Sequence, residues 1–204
     1  LLEGEFGQGG RHSRREEKNA IAQLIAAHIP DNASLFISIG TTMEAVAAAL
    51  IKQRKNLRII TNNIYVAALA SARSDYTVII TSGVVRPLDG GVATVDFINQ
   101  FKVDYAVLST HGVEGDGSLL DYDYKEVSVM QAMMANARVR FLGVDHSKFQ
   151  SHALVRLGDI TDFDRVFTDR APDGEMQKIL TAAGVEWLVP EICQHATETA
   201  KDEK

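Results

Sequence analysis

The chain has 204 residues, of which 46% are hydrophobic and 24% are charged, and its formal net charge is −6. These values are typical of one globular domain with a large core, and the lack of runs of like charge excludes a basic nucleic-acid-binding surface on this chain. Cys193, the single cysteine, excludes an internal disulfide framework and a cysteine-rich metal site, and it fits a reducing compartment.

The two ends of the chain differ in composition from the part between them. Residues 1–15 are rich in glycine and arginine and are predicted to be the remnant of a linker. Residues 16–190 are predicted to form the domain, and residues 191–204 a polar tail. We find no apolar run long enough to span a membrane and no secretory pattern at the start. The sequence therefore predicts a cytoplasmic protein.

Short apolar runs alternate with helix-favouring stretches along residues 16–190. The predicted helices are Glu16–Ile29, Met43–Leu50, Ile64–Ala72, Val95–Phe101, Tyr124–Arg138 and Gly174–Ala183. The predicted strands are Leu35–Ile39, Leu57–Thr61, Tyr76–Thr81, Tyr105–Leu108, Phe141–Asp145, Arg165–Thr168 and Glu186–Val189, with residues 111–123 as a loop. This alternation predicts an α/β fold with a mostly parallel open sheet and helices on both faces.

Gly40, Thr41 and Thr42 interrupt the chain between a predicted strand and a predicted helix. In such a turn the first amides of the helix have no acceptor within the helix, and the helix dipole adds positive potential. Together with two hydroxyl groups, these amides would suit a phosphate. The alternative is that Thr41 or Thr42 only caps the helix with its side chain.

A second turn, from Asp145 to Lys148, follows the predicted strand that ends at Asp145. Lys148 could bind a phosphate, and Asp145 could hold a sugar hydroxyl or orient the lysine. The alternative is a surface turn with an incidental salt bridge worth ~0–1 kcal/mol. Because parallel strands end at one edge of the sheet, this turn and the Gly40 turn are expected to approach one anion from two sides.

The segment between Ser109 and Glu126 gives weaker signals. His111 is a candidate hydroxyl contact or acid–base group, although a lone histidine in a loop is more often neither. Asp121, Asp123 and Glu126 could form an acid–base set or a metal site, whereas Asp123 with Glu126 also fits a capping box. The sequence has no nucleophile elbow, no P-loop and no dinucleotide-binding motif. No catalytic residue, metal or cofactor is therefore predicted.

A series of short motifs runs in order through nearly the whole chain. It comprises Glu17-Lys18, Ile29-Pro30-Asp31, Phe36 to Thr42, Thr61-Asn62-Asn63, Ser82-Gly83, Arg86, Asp89-Gly90-Gly91, Gly112-Val113, Gly117-Ser118-Leu119 and Asp145 to Phe149. This series resembles the effector-binding domain of the DeoR family of bacterial transcriptional repressors, and the ordered set is more specific than any single motif. That domain is similar in fold to ribose 5-phosphate isomerase and glucosamine-6-phosphate deaminase.

The resemblance implies a sensor for a small phosphorylated sugar or polyol, with glycerol 3-phosphate among the candidates. It implies that Gly40, Thr41 and Thr42 bind the phosphate together with Lys148. The remaining residues implied for the pocket are Asn62, Gly83, Arg86, Gly112, Tyr124, Glu126 and Asp145. The resemblance also implies a homodimer or homotetramer, and operator DNA bound by an N-terminal winged helix-turn-helix domain that this chain does not contain.

The sequence departs from related patterns in two places. The segment that begins at Val92, directly after Gly91, is shorter than the corresponding segment of the family. Either this is a real deletion or residues are missing from the sequence at this point. The acidic loop and the glycine run of the isomerase are both absent, so catalysis is not expected. The alternative functions are a sugar-phosphate isomerase or aminosugar-phosphate deaminase of the same fold, and a purely structural oligomerisation module.

Overall fold

The computed structural model describes residues 14–81 and 95–191, which form a seven-stranded sheet, a three-stranded sheet and the helices that cover them. The helices are α1 (Arg15–Ala27), α2 (Thr41–Gln53), α3 (Ile64–Ala70), α4 (Val95–Ile98), α5 (Tyr124–Ala135) and α6 (Gly174–Ala183), with 3-10 turns at His146–Gln150 and Ile160–Asp162. The strands are β1 (Ser34–Ile37), β2 (Arg58–Thr61), β3 (Thr77–Ile80), β4 (Val103–Leu108), β5 (Gly112–Val113), β6 (Ser118–Asp121), β7 (Ala137–Gly143), β8 (Val155–Asp159), β9 (Arg165–Phe167) and β10 (Glu186–Leu188). Over these two ranges no helix has the length and apolar character needed to cross a membrane.

The large sheet has the strand order β10-β9-β7-β4-β1-β2-β3, and all neighbouring strands are parallel. From β1 the chain builds outward through β2 and β3, and it then returns to the other side of β1 to build β4, β7, β9 and β10. This reversal between β1 and β4 is the kind of switch point at which open α/β sheets bind ligands. The predicted fold class, a mostly parallel open sheet with helices on both faces, is confirmed.

The core lies on both sides of the sheet because successive strand residues point in opposite directions. Leu35 and Ile37 are fully buried in the cluster that contains α1, α2 and α3, whereas Phe36 is fully buried in the cluster with α4, α5 and α6. Burying an apolar side chain of this size contributes about 1.5–3 kcal/mol. The unbroken apolar run in β1 is thus the pattern of a strand that is covered on both faces.

Helix α1 packs against the carboxyl end of β7. Its residues Ile21 and Ile25 are fully buried together with Met43 of α2. A Cβ atom on Gly143, the last residue of β7, would lie 2.8 Å from Ile25 Cδ1, which shows how closely the helix approaches the strand. The N-terminal turn of α1 can therefore reach the residues that follow β7.

The loop predicted for residues 111–123 is wrong, because this segment contains two strands. Strands β5 and β6 pair antiparallel, and β6 also pairs antiparallel with β8, a strand that the sequence analysis does not predict. Val113, Leu119 and Leu157 from these strands are buried in the core beside α5. The glycines of the segment hide this apolar pattern, and a two-residue strand is too short to show a period.

The predicted helix Tyr124–Arg138 extends too far at its C-terminus. Helix α5 ends at Ala135, and the N–H of the capping residue Asn136 donates to Ala132 O at 3.1 Å. Asn136 O then accepts from Val103 N at 3.0 Å, and Ala137 pairs with Val103 as β7 begins. Pairing with β4 thus overrides the local helix propensity of the sequence.

Candidate functional site

The carboxyl edge of the large sheet carries most of the residues predicted to form a site. Gly40 follows β1, Asn62 follows β2 and Asp145 follows β7. Only β4 separates β1 from β7, and neighbouring strands are about 4.8 Å apart, so the strands that lead into the two turns lie about 10 Å from each other. The two turns therefore follow strands that a single strand separates.

Gly40 is the N-cap residue of α2, and Thr41 and Thr42 are its first helical residues. The N-cap residue is thus a glycine, which has no side chain to cap the helix, and the alternative in which Thr41 or Thr42 is the N-cap residue is wrong. Gly40 has φ 116° and ψ 153°, a conformation that is essentially restricted to glycine. Gly40 is exposed, so this helix N-terminus opens toward the edge of the sheet.

Gly40→Ala is expected to lower the melting temperature of the ligand-free protein. A Cβ atom at this position would meet nothing within 4 Å. The cost is therefore backbone strain alone, about 1–3 kcal/mol. Scanning fluorimetry measures the change. Gly174→Ala is the matched control, since a Cβ there also meets nothing within 4 Å and Gly174 has no positive φ. Equal melting temperatures for the two variants would contradict the strain at Gly40.

Lys18, in the N-terminal part of α1, contacts the first helical residue of α2. Its Nζ donates to Thr41 Oγ1 at 3.0 Å. Burial lowers the pKa of Lys18, and the positive charges of Lys148 and Arg14 lower it further, while the Asp145 carboxylate acts in the opposite direction. Two cations, Lys148 and Arg14, and two carboxylates, Asp145 and Glu17, are therefore close enough to influence the Lys18 ammonium group.

The sequence analysis does not identify Lys18 and Arg14 as site residues. Lys18 enters it only as part of a family motif. Arg14 is the N-cap residue of α1, and its backbone oxygen accepts from Lys18 N at 3.1 Å, so both residues belong to the N-terminal turn of this helix. The local sequence does not show which strand ends the N-terminal turn of α1 contacts after folding.

Lys18→Met is expected to raise the melting temperature of the ligand-free protein at pH 7. The folded state lowers the pKa of Lys18 from 10.5, so its charged form is favoured more in the unfolded chain, and methionine removes this cost. In the interval between the lowered pKa and 10.5 the unfolded chain binds more protons. Wild-type stability should therefore rise with pH across that interval, and the variant should lack the rise. Melting curves at pH 7 and at alkaline pH test both points. A lower melting temperature for the variant at pH 7 would mean that the bond to Thr41 outweighs the burial cost.

Asp145 is a buried carboxylate below the 3-10 turn that carries Lys148. It is 1% exposed, and its Oδ1 accepts from Ser147 N at 3.0 Å and from Ser147 Oγ. Lys148 N donates to Asp145 O at 2.9 Å, and Arg14 Nη1 lies 4.0 Å from Asp145 Oδ1. This burial does not fit an incidental salt bridge at the surface. The carboxylate contacts Ser147 and Arg14, whereas the bond between Asp145 and Lys148 joins backbone atoms only.

A second buried carboxylate, Asp169, fixes the start of the same turn. It lies after β9 and is 1% exposed. It accepts from His146 N at 2.6 Å, and its other oxygen lies 2.6 Å from His146 Nδ1. Arg170 Nε is 3.6 Å from that second oxygen. The sequence analysis misses this pair because β9 and the 3-10 turn are distant in sequence and adjacent only in the sheet.

Asn62 and Glu126 form a polar pair at the other side of the edge. Both are 2% exposed, and Asn62 Nδ2 donates to Glu126 Oε2 at 3.0 Å. Asp123 is the N-cap of α5, accepting from Lys125 N at 2.7 Å and from Glu126 N at 3.4 Å. The predicted cap at Asp123 is confirmed. The side chain of Glu126 accepts from Asn62 through Oε2.

Gly112 supports the Lys148 turn through close packing. A Cβ atom on Gly112 would lie 2.2 Å from Ser151 O, so only glycine allows β5 to approach the end of the turn. In the structure Gly112 is buried. Gly112 would therefore affect the site indirectly, by fixing the position of the turn that carries Lys148.

The other predicted residues lie further from these contacts or cannot be placed. Tyr124 is the first residue of α5 and is 65% exposed. His111 is exposed, and its Nδ1 lies 3.0 Å from Asp121 Oδ1. Gly83 and Arg86 lie outside the described residues. In the parts of the chain that the structure describes, no three side chains of the metal-binding types come together as a site.

Comparison with known proteins adds a family and several relatives. A family model described as the DeoR C terminal sensor domain matches residues 13–170. The glycerol-3-phosphate regulon repressor of Escherichia coli is 45% identical over 172 residues, which are 83% of this chain and 68% of that protein. The repressor of the same name from Haemophilus influenzae is 47% identical over 161 residues, 78% of this chain and 62% of that protein. The transcriptional repressor CsqR of E. coli is 36% identical, with 88% and 69% covered.

The similarity to solved structures is weaker. Ribose 5-phosphate isomerase A from Neisseria gonorrhoeae aligns with a TM-score of 0.48 and 16% identity, over 66% of this chain and 53% of that one. The delta subunit of eIF2B from Chaetomium thermophilum aligns with a TM-score of 0.49 and 12% identity, over 74% and 58%. We draw no functional conclusion from either alignment.

Proposed function

This chain belongs to the DeoR family of transcriptional regulators as a C-terminal sensor domain, and from this premise we propose that it binds a small phosphorylated polyol or sugar at the Gly40 turn. Binding would be the signal that controls an attached DNA-binding domain. The site would bind its ligand without transforming it.

The observation that carries the proposal is the convergence of three cations on one helix N-terminus. Lys18 bonds to the first helical residue of α2, and Lys148 and Arg14 both influence the Lys18 ammonium. Bringing like charges together is unfavourable unless an anion joins them. The N-terminus of a 13-residue helix adds amide donors and positive potential at the same place. Asp145 and Glu17 offset part of this positive charge, and a phosphate dianion would add further negative charge and oxygen acceptors at the same place.

We favour glycerol 3-phosphate among the phosphate esters because of the named relatives. Two repressors of glycerol-3-phosphate regulons are 45% and 47% identical to this chain. In the proposed complex Gly40, Thr41 and Thr42 contact the phosphate through amides and hydroxyls, and Lys148 contacts it from the second turn. The phosphate then caps the helix in place of a side chain.

The regulatory part of the proposal concerns segments beyond this domain. The chain covers 62% to 69% of the three repressors named above, so we propose that a helix-turn-helix domain and operator DNA complete the system. We also propose a homodimer or homotetramer, in which occupancy changes the arrangement of subunits. Shifting such an equilibrium from 1:99 to 99:1 needs a preference of about 5.5 kcal/mol for one arrangement.

A thermal-shift screen of the purified chain tests the proposal. Glycerol 3-phosphate is expected to raise the melting temperature, since a ligand at one hundred times its dissociation constant adds about 2.7 kcal/mol of stability. Ribose 5-phosphate, glucosamine 6-phosphate, inorganic phosphate and glycerol complete the panel. Analysis of the incubated sugar phosphates by NMR shows whether any of them is converted. The absence of stabilisation by every phosphate ester, or conversion of one of them, would overturn the proposal.

A further inference from the structure

Asn62 and Glu126 form a buried pair next to the proposed phosphate site, and the role inferred for them rests on the proposed function. Asn62 directly follows β2, whose last residue, Thr61, pairs with Ile37 of β1. Paired strands are about 4.8 Å apart. Asn62 is therefore one strand away from the segment that leads into the Gly40 turn.

The bond between the two side chains determines which atom of Asn62 remains available. Nδ2 donates to Glu126 Oε2 at 3.0 Å, and because a carboxylate only accepts, this bond identifies the amide nitrogen. Oδ1 is then an acceptor. It is buried and has no hydrogen-bond partner among the residues that the structure describes. A buried acceptor without a donor is unfavourable, and a ligand hydroxyl would provide the donor.

A second buried polar atom lies one strand further along the edge. Thr81 follows β3, and its N–H donates to Thr61 O at 2.9 Å, which fixes it beside β2. Its Oγ1 is also buried and lacks a partner within residues 14–81 and 95–191. Two such atoms at neighbouring strand ends favour a ligand with more than one hydroxyl group. An apolar ligand would leave both atoms unpaired.

We propose that Asn62 Oδ1 accepts a hydrogen bond from a hydroxyl group on the carbon next to the phosphate-bearing carbon of the ligand. Glu126 acts as a positioning residue, because its bond to Nδ2 directs Oδ1 toward that hydroxyl. The ligand class is a phosphate monoester of a polyol. A ketone at this carbon offers only an acceptor, so two acceptors would face each other and the ligand would bind less tightly.

Isothermal titration calorimetry of the wild-type chain tests this inference without any variant. Glycerol 3-phosphate and dihydroxyacetone phosphate differ only in an alcohol or a ketone at the middle carbon, and inorganic phosphate reports the phosphate site alone. The alcohol is expected to bind about 10- to 100-fold more tightly than the ketone, because a site that bonds a hydroxyl rejects the analogue lacking it. Equal affinities would overturn the inference and leave the proposed function intact. Failure of all three to bind would overturn the inference, and it would overturn the proposed function as well if ribose 5-phosphate and glucosamine 6-phosphate also failed to bind.

Variants at the two positions distinguish the role of Asn62 from the role of Glu126. Asn62→Ala and Glu126→Ala should each reduce the preference for the alcohol to less than about threefold, since Oδ1 is removed or no longer directed. Glu126→Gln keeps an oxygen acceptor for Asn62 Nδ2 and should restore the preference. Asn99→Ala, an exposed asparagine elsewhere, is the control and should retain the wild-type ratio. A wild-type ratio in Asn62→Ala would contradict the role of Oδ1.

Discussion

Replacing Lys148 with alanine is expected to reduce by at least about half the rise in melting temperature that glycerol 3-phosphate gives the wild-type protein. Lys148 lies in the 3-10 turn that Asp145 caps, and its charge already acts on Lys18 beside Thr41. A hydrogen bond to a charged group contributes about 1.5–3 kcal/mol, so its loss should weaken binding about 10- to 150-fold. Thermal-shift titration of the variant measures the loss. Thr41→Ala should behave in the same way, because its hydroxyl bonds to Lys18.

Lys52→Ala is the matched control for this experiment. Lys52 lies in the last turn of α2, at the end remote from Gly40, and it is exposed. Its removal takes one positive charge, as Lys148→Ala does, but from the far end of α2, and it should leave the ligand-induced shift unchanged. If Lys148→Ala and Thr41→Ala were both stabilised like the wild type, the ligand would have to bind elsewhere.

Gly112→Ala should destabilise the protein and also weaken ligand binding. The new Cβ would lie 2.2 Å from Ser151 O and 3.0 Å from Ser151 C, and both are backbone atoms that cannot rotate away. Overpacking of this kind costs about 1–3 kcal/mol, and relieving it must move either β5 or the turn that carries Lys148. Scanning fluorimetry measures the first effect, and titration calorimetry with glycerol 3-phosphate measures the second.

Gly115→Ala separates this clash from the general effect of removing a glycine. Gly115 lies in the connection between β5 and β6, and a Cβ there would meet nothing within 4 Å. The free energy of unfolding of the control should stay within about 0.5 kcal/mol of the wild-type value. If Gly112→Ala matched Gly115→Ala in stability and in affinity for glycerol 3-phosphate, the turn that carries Lys148 would tolerate a displacement of β5.

Local signals explain why much of the fold is predictable from the sequence. Helix α6 has its predicted bounds because Asp173 caps its start, accepting from Met176 N at 2.8 Å, and Gly184 ends it in a left-handed conformation. The parallel strands are apolar enough to be recognised individually. Strands β5, β6 and β8 are not predicted, because their antiparallel pairing depends on contacts between separate segments and not on a local period.

The site is predictable to a lesser extent, for a related reason. Gly40 and Lys148 stand out because each follows an apolar run in a turn of unusual composition, and family motifs contain both. Residues 96–101 and 119–127 also resemble the glycerol-3-phosphate regulon repressors within the family, and two repressors of that name are 45% and 47% identical to this chain. Lys18 and Asp169 give no such signal, because their roles depend on which helix face and which strand end meet after folding.

The strand order around β1 has a consequence for the order in which the chain folds. β2 follows β1 closely in sequence, whereas pairing with β4 brings together Ser34 and Asp104, which bond at 2.9 Å across a separation of 70 residues. Closing the longer loop costs more chain entropy, so β1, β2 and β3 should assemble before β4 docks. The crevice between β1 and β4 is then completed late, after the folding barrier. We therefore expect a ligand bound there to slow unfolding and to leave the rate of folding nearly unchanged.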